Sequence, residues 1–81
     1  MDEITLDAVI EMLEDVREGI DYKNVTNLVD ARHLDSFDIL AVVAAIDDEF
    51  DVEVPAKEIV PANFNSAASL TAMIQRLADE E

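Results

Sequence analysis

The chain contains no cysteine, so neither a disulfide nor a thiolate metal site can staple its fold. One glycine and two prolines are little material for tight turns, which argues against an all-β fold. No apolar run approaches the ~20 residues needed to span a bilayer. Met1-Asp2-Glu3 opens the chain without the basic and apolar regions of a secretory signal. The expectation is a soluble cytoplasmic protein. Positive charge is also scarce: five Lys and Arg against twenty Asp and Glu leave a formal charge of −15. Such an excess repels phosphate backbones and anionic membranes, so neither nucleic acid nor membrane is expected as a partner. It steers basic proteins toward the chain instead. The imbalance is most acute between His33 and Ala56, where seven acids occur with no Lys or Arg among them.

The residues that are present favour helix. Alanine, leucine, isoleucine and acidic residues dominate the 81 positions, and most of these are good helix formers. A chain this short makes one small domain, residues 1–81, with a modest core. Ile4 to Glu18 reads as a first helix, with Leu6, Val9, Ile10, Leu13 and Val16 at helical spacing. Asp2 or Thr5 suits its N-cap, and Gly19 suits its C′ position. Asp21 to Leu34 has no sustained period but carries Tyr22, Val25, Leu28, Val29 and Leu34, so it reads as an ordered loop lying on the core.

Phe37 to Phe50 reads as the second helix, with Asp35 as N-cap and Asp38 completing a pair like a capping box. At 100° per residue, Ile39, Val42, Val43, Ile46 and Phe50 form a sufficient core face. Phe37, Leu40, Ala41 and Ala44 fall on nearly the opposite side, where a surface helix should be polar. Val54 precedes a proline and is expected to be extended. Ala56 to Val60 has room for one short helix before Pro61, and Asn63, Asn65 and Ser66 signal a turn. Asn65 or Ser66 then caps a last helix running to about Ala78, with Ala67, Leu70, Ile74 and Leu77 inward. The fold expected is all-α: a small antiparallel four-helix bundle of three longer helices and a short third one.

Ser36 stands at the start of the second helix between two carboxylates. The nearest histidine, His33, would have to reach it across a helix-start turn to act as its base, and a lone loop histidine reads as a surface residue. A serine without a base is no nucleophile of its own, but it is well placed to be modified by another protein. The residues therefore point to a carrier and not to an enzyme. Asp47, Asp48 and Glu49 sit at the negative end of the second helix, where acids are unfavourable by ~0.3–1 kcal/mol each. Such a local conflict is expected at a functional surface. Asp47, Asp48 and Asp51 could attract Mg²⁺ or Ca²⁺ loosely but lack the spacing of an EF-hand loop, so no dedicated metal site is expected.

Two stretches together, Asp35-Ser36-Phe37-Asp38 and Ile46-Asp47-Asp48-Glu49-Phe50-Asp51-Val52-Glu53-Val54-Pro55, give the chain a family likeness. It resembles the acyl carrier proteins over essentially its whole length, including helix order and loop length. The resemblance implies that Ser36 carries 4′-phosphopantetheine, moved from coenzyme A by a phosphopantetheinyl transferase. Acyl groups would then ride as thioesters on the pantetheine thiol, for fatty-acid, polyketide or related secondary biosynthesis. The partners implied are that transferase and acyl-loading and acyl-transferring enzymes with basic docking surfaces, meeting a monomeric carrier. The chain departs from the family pattern at Arg32-His33-Leu34, where a glycine is common, at Phe37 in place of leucine, at Ala41 in place of glutamate, and in a slightly long segment containing Pro61. These departures leave the carrier resemblance intact but weaken a likeness to the housekeeping fatty-acid carrier, and they leave room for a dedicated carrier of a secondary pathway.

The partner surface expected comprises Asp35, Phe37, Asp38, Leu40, Ala44, Asp47 and Asp48, with Ile59 from the short third element. Two alternatives stand beside the acyl carrier. One is an aminoacyl or D-alanyl carrier using the same serine. The other is an acidic helical interaction module in which Ser36 is only part of a helix start.

Overall fold

A computed structural model describes residues 4–80. These residues are all-helical, with no strand among them. The order is α1 (Leu6–Val16), α2 (Ser36–Phe50), a single 3₁₀ turn (Ala56–Glu58), α3 (Pro61–Phe64) and α4 (Ala67–Glu80). α1 packs against both α2 and α4, and α3 against α4. No helix among the described residues is long and apolar enough to cross a membrane.

One apolar cluster holds the elements together. α1 contributes Val9, Ile10, Met12 and Leu13, α2 contributes Val42 and Ile46, and α4 contributes Ala67, Leu70, Met73, Ile74 and Leu77. Phe64 of α3 and Val52 and Val54 of the extended segment after α2 complete it. The long loop behaves as its apolar residues suggest: Tyr22, Leu28 and Leu34 are buried, and Val25 and Val29 pack on the cluster. Ile39, Val43 and Phe50 of the expected α2 core face are half-buried and pack against it rather than inside it. The fully enclosed phenylalanine is Phe64.

Several boundaries differ from the sequence reading. Thr5 caps α1, its Oγ1 accepting from the Ala8 amide at 3.1 Å, while Asp2 lies outside the described residues. The helix is shorter than Ile4 to Glu18 because the backbone extends at Arg17, whose amide closes the last turn onto the Leu13 carbonyl. Glu18, not Gly19, therefore occupies C′. Gly19 takes its positive φ of 93° one residue later, in the turn that leads to Ile20. The Tyr22 hydroxyl lies within hydrogen-bonding reach of the Leu13 and Arg17 carbonyls, so a tyrosine from the loop finishes the helix that glycine was expected to finish.

Pro61 also acts differently. Instead of ending a helix over Ala56 to Val60, it opens α3 at the first helical position, where its missing N–H leaves no bond unmade. The segment before it is only the 3₁₀ turn, and Asn63 lies inside α3. Arg76 of α4 fastens this region, with its guanidinium on the Glu58 carboxylate at 2.5 and 3.2 Å. Ser66 caps α4 by accepting from the Ser69 amide at 3.0 Å. The helix runs on to Glu80, two residues past the expected end.

Candidate functional site

The site is built from the joint between the long loop and α2. Leu34, the last buried residue of the loop, donates its amide to the Leu28 carbonyl at 2.9 Å. The next residue, Asp35, has extended backbone and caps α2, with Oδ1 accepting from the Asp38 amide at 2.9 Å. Asp38 Oδ2 accepts in return from the Asp35 amide at 3.2 Å. This reciprocal capping box fixes Ser36 at the first position of the helix, one residue earlier than the expected start at Phe37. Ser36 is exposed. The Asp38 amide is taken by Asp35, but the Ser36 and Phe37 amides have no partner within the helix and the dipole there is positive, so the position suits an anion bonded to the serine oxygen.

Asp38 is more occupied than the sequence indicates. Besides closing the cap, its Oδ2 pairs with Arg17 Nη1 at 3.0 Å, and its side chain is only 16% exposed. Arg17 thus brings a positive charge from the end of α1 to the first turn of α2, offsetting one of the two carboxylates that flank Ser36. The same charges act on Tyr22. Its hydroxyl is held above its ordinary pKa first by burial and then by the nearby Asp38 carboxylate, with Arg17 opposing. His33 is exposed in the loop, and no hydrogen bond joins it to another described residue.

Along α2 the division into two faces is realised. Val42 and Ile46 are buried, whereas Phe37 is 81% exposed and Leu40 is 61% exposed. Ala41 and Ala44 continue the exposed apolar strip. At 100° per residue, Asp47 falls on the same side of the helix as Leu40, two turns further on, and Asp48 on the same side as Phe37, three turns further on. Both are exposed, and no base occupies the last turn of α2. The result is a strip about 18 Å long from Ser36 to Asp48 at 1.5 Å per residue. A hydroxyl stands at one end, apolar side chains in the middle and carboxylates at the other end.

Ile59 does not extend this strip as an exposed contact. It is half-buried on the core, and its neighbour Val60 is the exposed apolar residue of that segment. No group of three or more His, Cys, Asp or Glu among the described residues is arranged to hold a metal ion.

No family model, curated protein or solved structure matches the chain. The reading of the site therefore rests on its own geometry and on the residue pattern around Ser36.

Three roles carry no local signal in the sequence: Arg17 as the partner of Asp38, the Tyr22 hydroxyl at the end of α1, and Asn65 as a loop partner. Of the two expected caps of α4, Asn65 and Ser66, Ser66 makes the cap, and the Asn65 side chain reaches the long loop instead. Its Oδ1 accepts from the Val29 and Asp30 amides at 3.0 Å each, and its Nδ2 donates to Asp30 Oδ2 at 3.2 Å. No local signal separates these two uses of an asparagine, because its loop partners lie more than thirty residues away.

Proposed function

We propose that the chain is an acyl carrier protein, and that Ser36 is the attachment point of its 4′-phosphopantetheine arm. The observation that carries this reading is the exposed serine at the first position of α2, held by the Asp35–Asp38 capping box at the head of an uncovered apolar and acidic strip. Attachment bonds Ser36 Oγ to the phosphorus of the phosphopantetheinyl group and breaks the pyrophosphate bond of coenzyme A. Adenosine 3′,5′-bisphosphate leaves, and the serine proton passes to the transferase. Once bound, the group supplies the thiol on which acyl cargo is held as a thioester.

The chain's own residues would present and steer rather than catalyse. The capping box fixes the backbone from which the serine oxygen projects. Arg17 offsets Asp38, so that the negative phosphodiester meets one compensated carboxylate and the positive helix end. Phe37 and Leu40 offer apolar contact, and Asp47 and Asp48 attract the basic surfaces of the transferase and of enzymes that load or remove the cargo. This reading includes the antiparallel four-helix arrangement of a carrier domain and a cytoplasmic monomer that serves fatty-acid, polyketide or related secondary biosynthesis.

The test is one intact mass spectrum. After incubation with coenzyme A and a broad-specificity phosphopantetheinyl transferase, the wild-type chain is expected to gain one phosphopantetheine group and Ser36→Ala none. A wild-type chain that gains no mass, or a mutant that gains the same mass, overturns the assignment.

A further inference from the structure

Asn65 stands at the joint of α3 and α4, and every polar group it has except its own amide is directed at the loop before Ser36. Its backbone carbonyl accepts from the Leu28 amide at 2.8 Å. Its side-chain oxygen takes the next two amides, Val29 and Asp30, and its side-chain nitrogen reaches the Asp30 carboxylate. Three consecutive loop residues are therefore bound to one asparagine. The hold continues toward the site: the Leu28 carbonyl, in the clamped triplet, accepts from Leu34, and Leu34 leads directly into Asp35 and Ser36. Besides this clamp, the stretch from Val29 to Leu34 is fastened by its own turns, Ala31 onto Asn27 and Arg32 onto Val29, by the packing of Val29 on the core and by the burial of Leu34. Arg32 in that stretch has a positive φ of 62°, a conformation unfavourable for a residue with a Cβ, and its amide closes the turn onto the Val29 carbonyl.

We propose that Asn65 is a positioning residue for the modification of Ser36. It makes no hydrogen bond to the serine. It fixes the register of the loop whose end presents the hydroxyl, and ties that presentation to the α3–α4 joint. The inference rests on the carrier reading. It assigns to a residue twenty-nine positions from Ser36 a part in how readily the transferase finds the hydroxyl.

The experiment is transferase kinetics on four full-length proteins: wild type, Asn65→Ala, Asn65→Asp, and the exchange Asp30→Asn with Asn65→Asp. The exchange swaps donor and acceptor between the two side chains and leaves the net charge unchanged. Asn65→Ala removes three side-chain hydrogen bonds to the loop and leaves the one to its backbone carbonyl; it is expected to raise KM for the carrier about five- to tenfold with little change in kcat. The Val29 and Asp30 amides should exchange faster with solvent in the same variant. The exchanged pair should return KM to within about twofold of wild type, which a nonspecific loss of stability would not do. Wild-type KM in a folded Asn65→Ala protein whose two amides exchange faster overturns the inference and leaves the carrier reading intact. If Asn65→Ala shows no cooperative melt, Asn65→Asp without its Asp30 partner change decides on the same terms, because it keeps the acceptor and sets two carboxylates together. A wild-type chain that is never modified overturns the carrier reading and this inference with it.

Discussion

Replacing Phe37 by alanine separates a docking face from a core face more sharply than any other single change. Phe37 is 81% exposed, so folding covers about a fifth of it. For an aromatic side chain of ~200 Å² that is ~40 Å², or ~1 kcal/mol at ~25 cal/mol per Å². Alanine returns ~0.5 kcal/mol through its higher helix propensity. The net loss expected is ~0.5 kcal/mol, a fall in melting temperature of ~2–4 °C for a domain this size. Phe64 is 1% exposed and supplies the contrast. Its truncation to alanine should remove ~3–5 kcal/mol, a large part of the ~4–12 kcal/mol available to 81 residues. Phe50, half-buried at the end of α2, should fall between the two. Urea melts on the three variants and wild type establish this ladder. Transferase kinetics on the same samples should invert it: Phe37→Ala loses about tenfold in kcat/KM, the effect of one lost interface anchor, while Phe50→Ala stays near wild type. A loss above ~2 kcal/mol in Phe37→Ala would mean that its ring packs inward and that the two-faced description of α2 is wrong. Unchanged stability with unchanged kinetics would mean that the exposed strip is not where the transferase binds.

Three further outcomes are expected. Asp47→Lys combined with Asp48→Lys should slow modification of Ser36 by about tenfold at low ionic strength, with the deficit shrinking as salt screens the steering; its unfolding free energy from urea melts should stay level or rise by up to ~1 kcal/mol, because lysine suits a helix C-terminus. Asp51 caps α2 with a positive φ of 56°, so Asp51→Gly should stabilise the domain by ~0.5–1 kcal/mol by relieving that conformation and removing an acid from the negative end of the helix, as read by thermal melts. Glu58 is held below the ordinary glutamate value of 4.5, chiefly by its hydrogen bond from Arg76, so that pair stabilises the fold at neutral pH and its contribution is lost as pH falls through the depressed pKa; the stability gap between wild type and Arg76→Ala should therefore narrow on acidification below the unfolded-state value, and a gap constant from pH 7 to 3 would refute the pairing.

The parts of this molecule that were legible in the sequence are those specified by neighbours in the chain. The capping box needs only Asp35 and Asp38, three residues apart, and both bonds are present. The α2 strip needs only helical spacing, and Phe37 and Leu40 are exposed where spacing placed them. The inward set on α4, Ala67, Leu70, Ile74 and Leu77, follows from the same rule. Misplaced boundaries came from residues with two lawful uses. A proline ends one helix or begins the next, and Pro61 begins α3 because the chain has already turned after the 3₁₀ segment. A glycine after an apolar stretch suits C′, but the Tyr22 hydroxyl reaches the end of α1 first and the chain extends at Arg17.

What stayed hidden is the set of bonds that cross the fold, and these bear most directly on Ser36. Arg17 and Asp38 are 21 residues apart, and Asn65 and Val29 are 36 apart. Spacing cannot pair them, because hydrogen-bonding side chains have many candidate partners and only the packed core decides which come within 3 Å. The apolar residues of the loop, Leu28 and Leu34 above all, provide that decision: once buried, they bring Val29 and Asp30 beneath the α3–α4 joint and leave Asp35 at the head of α2. On the proposed reading, the loop's core residues act on the candidate site without belonging to it, and a substitution at Leu28 or Leu34 is expected to slow modification of Ser36 in transferase kinetics through the same backbone that Asn65 clamps. The polar clamp and the apolar anchor therefore belong to one device, in which burial sets the loop's depth and Asn65 sets its register.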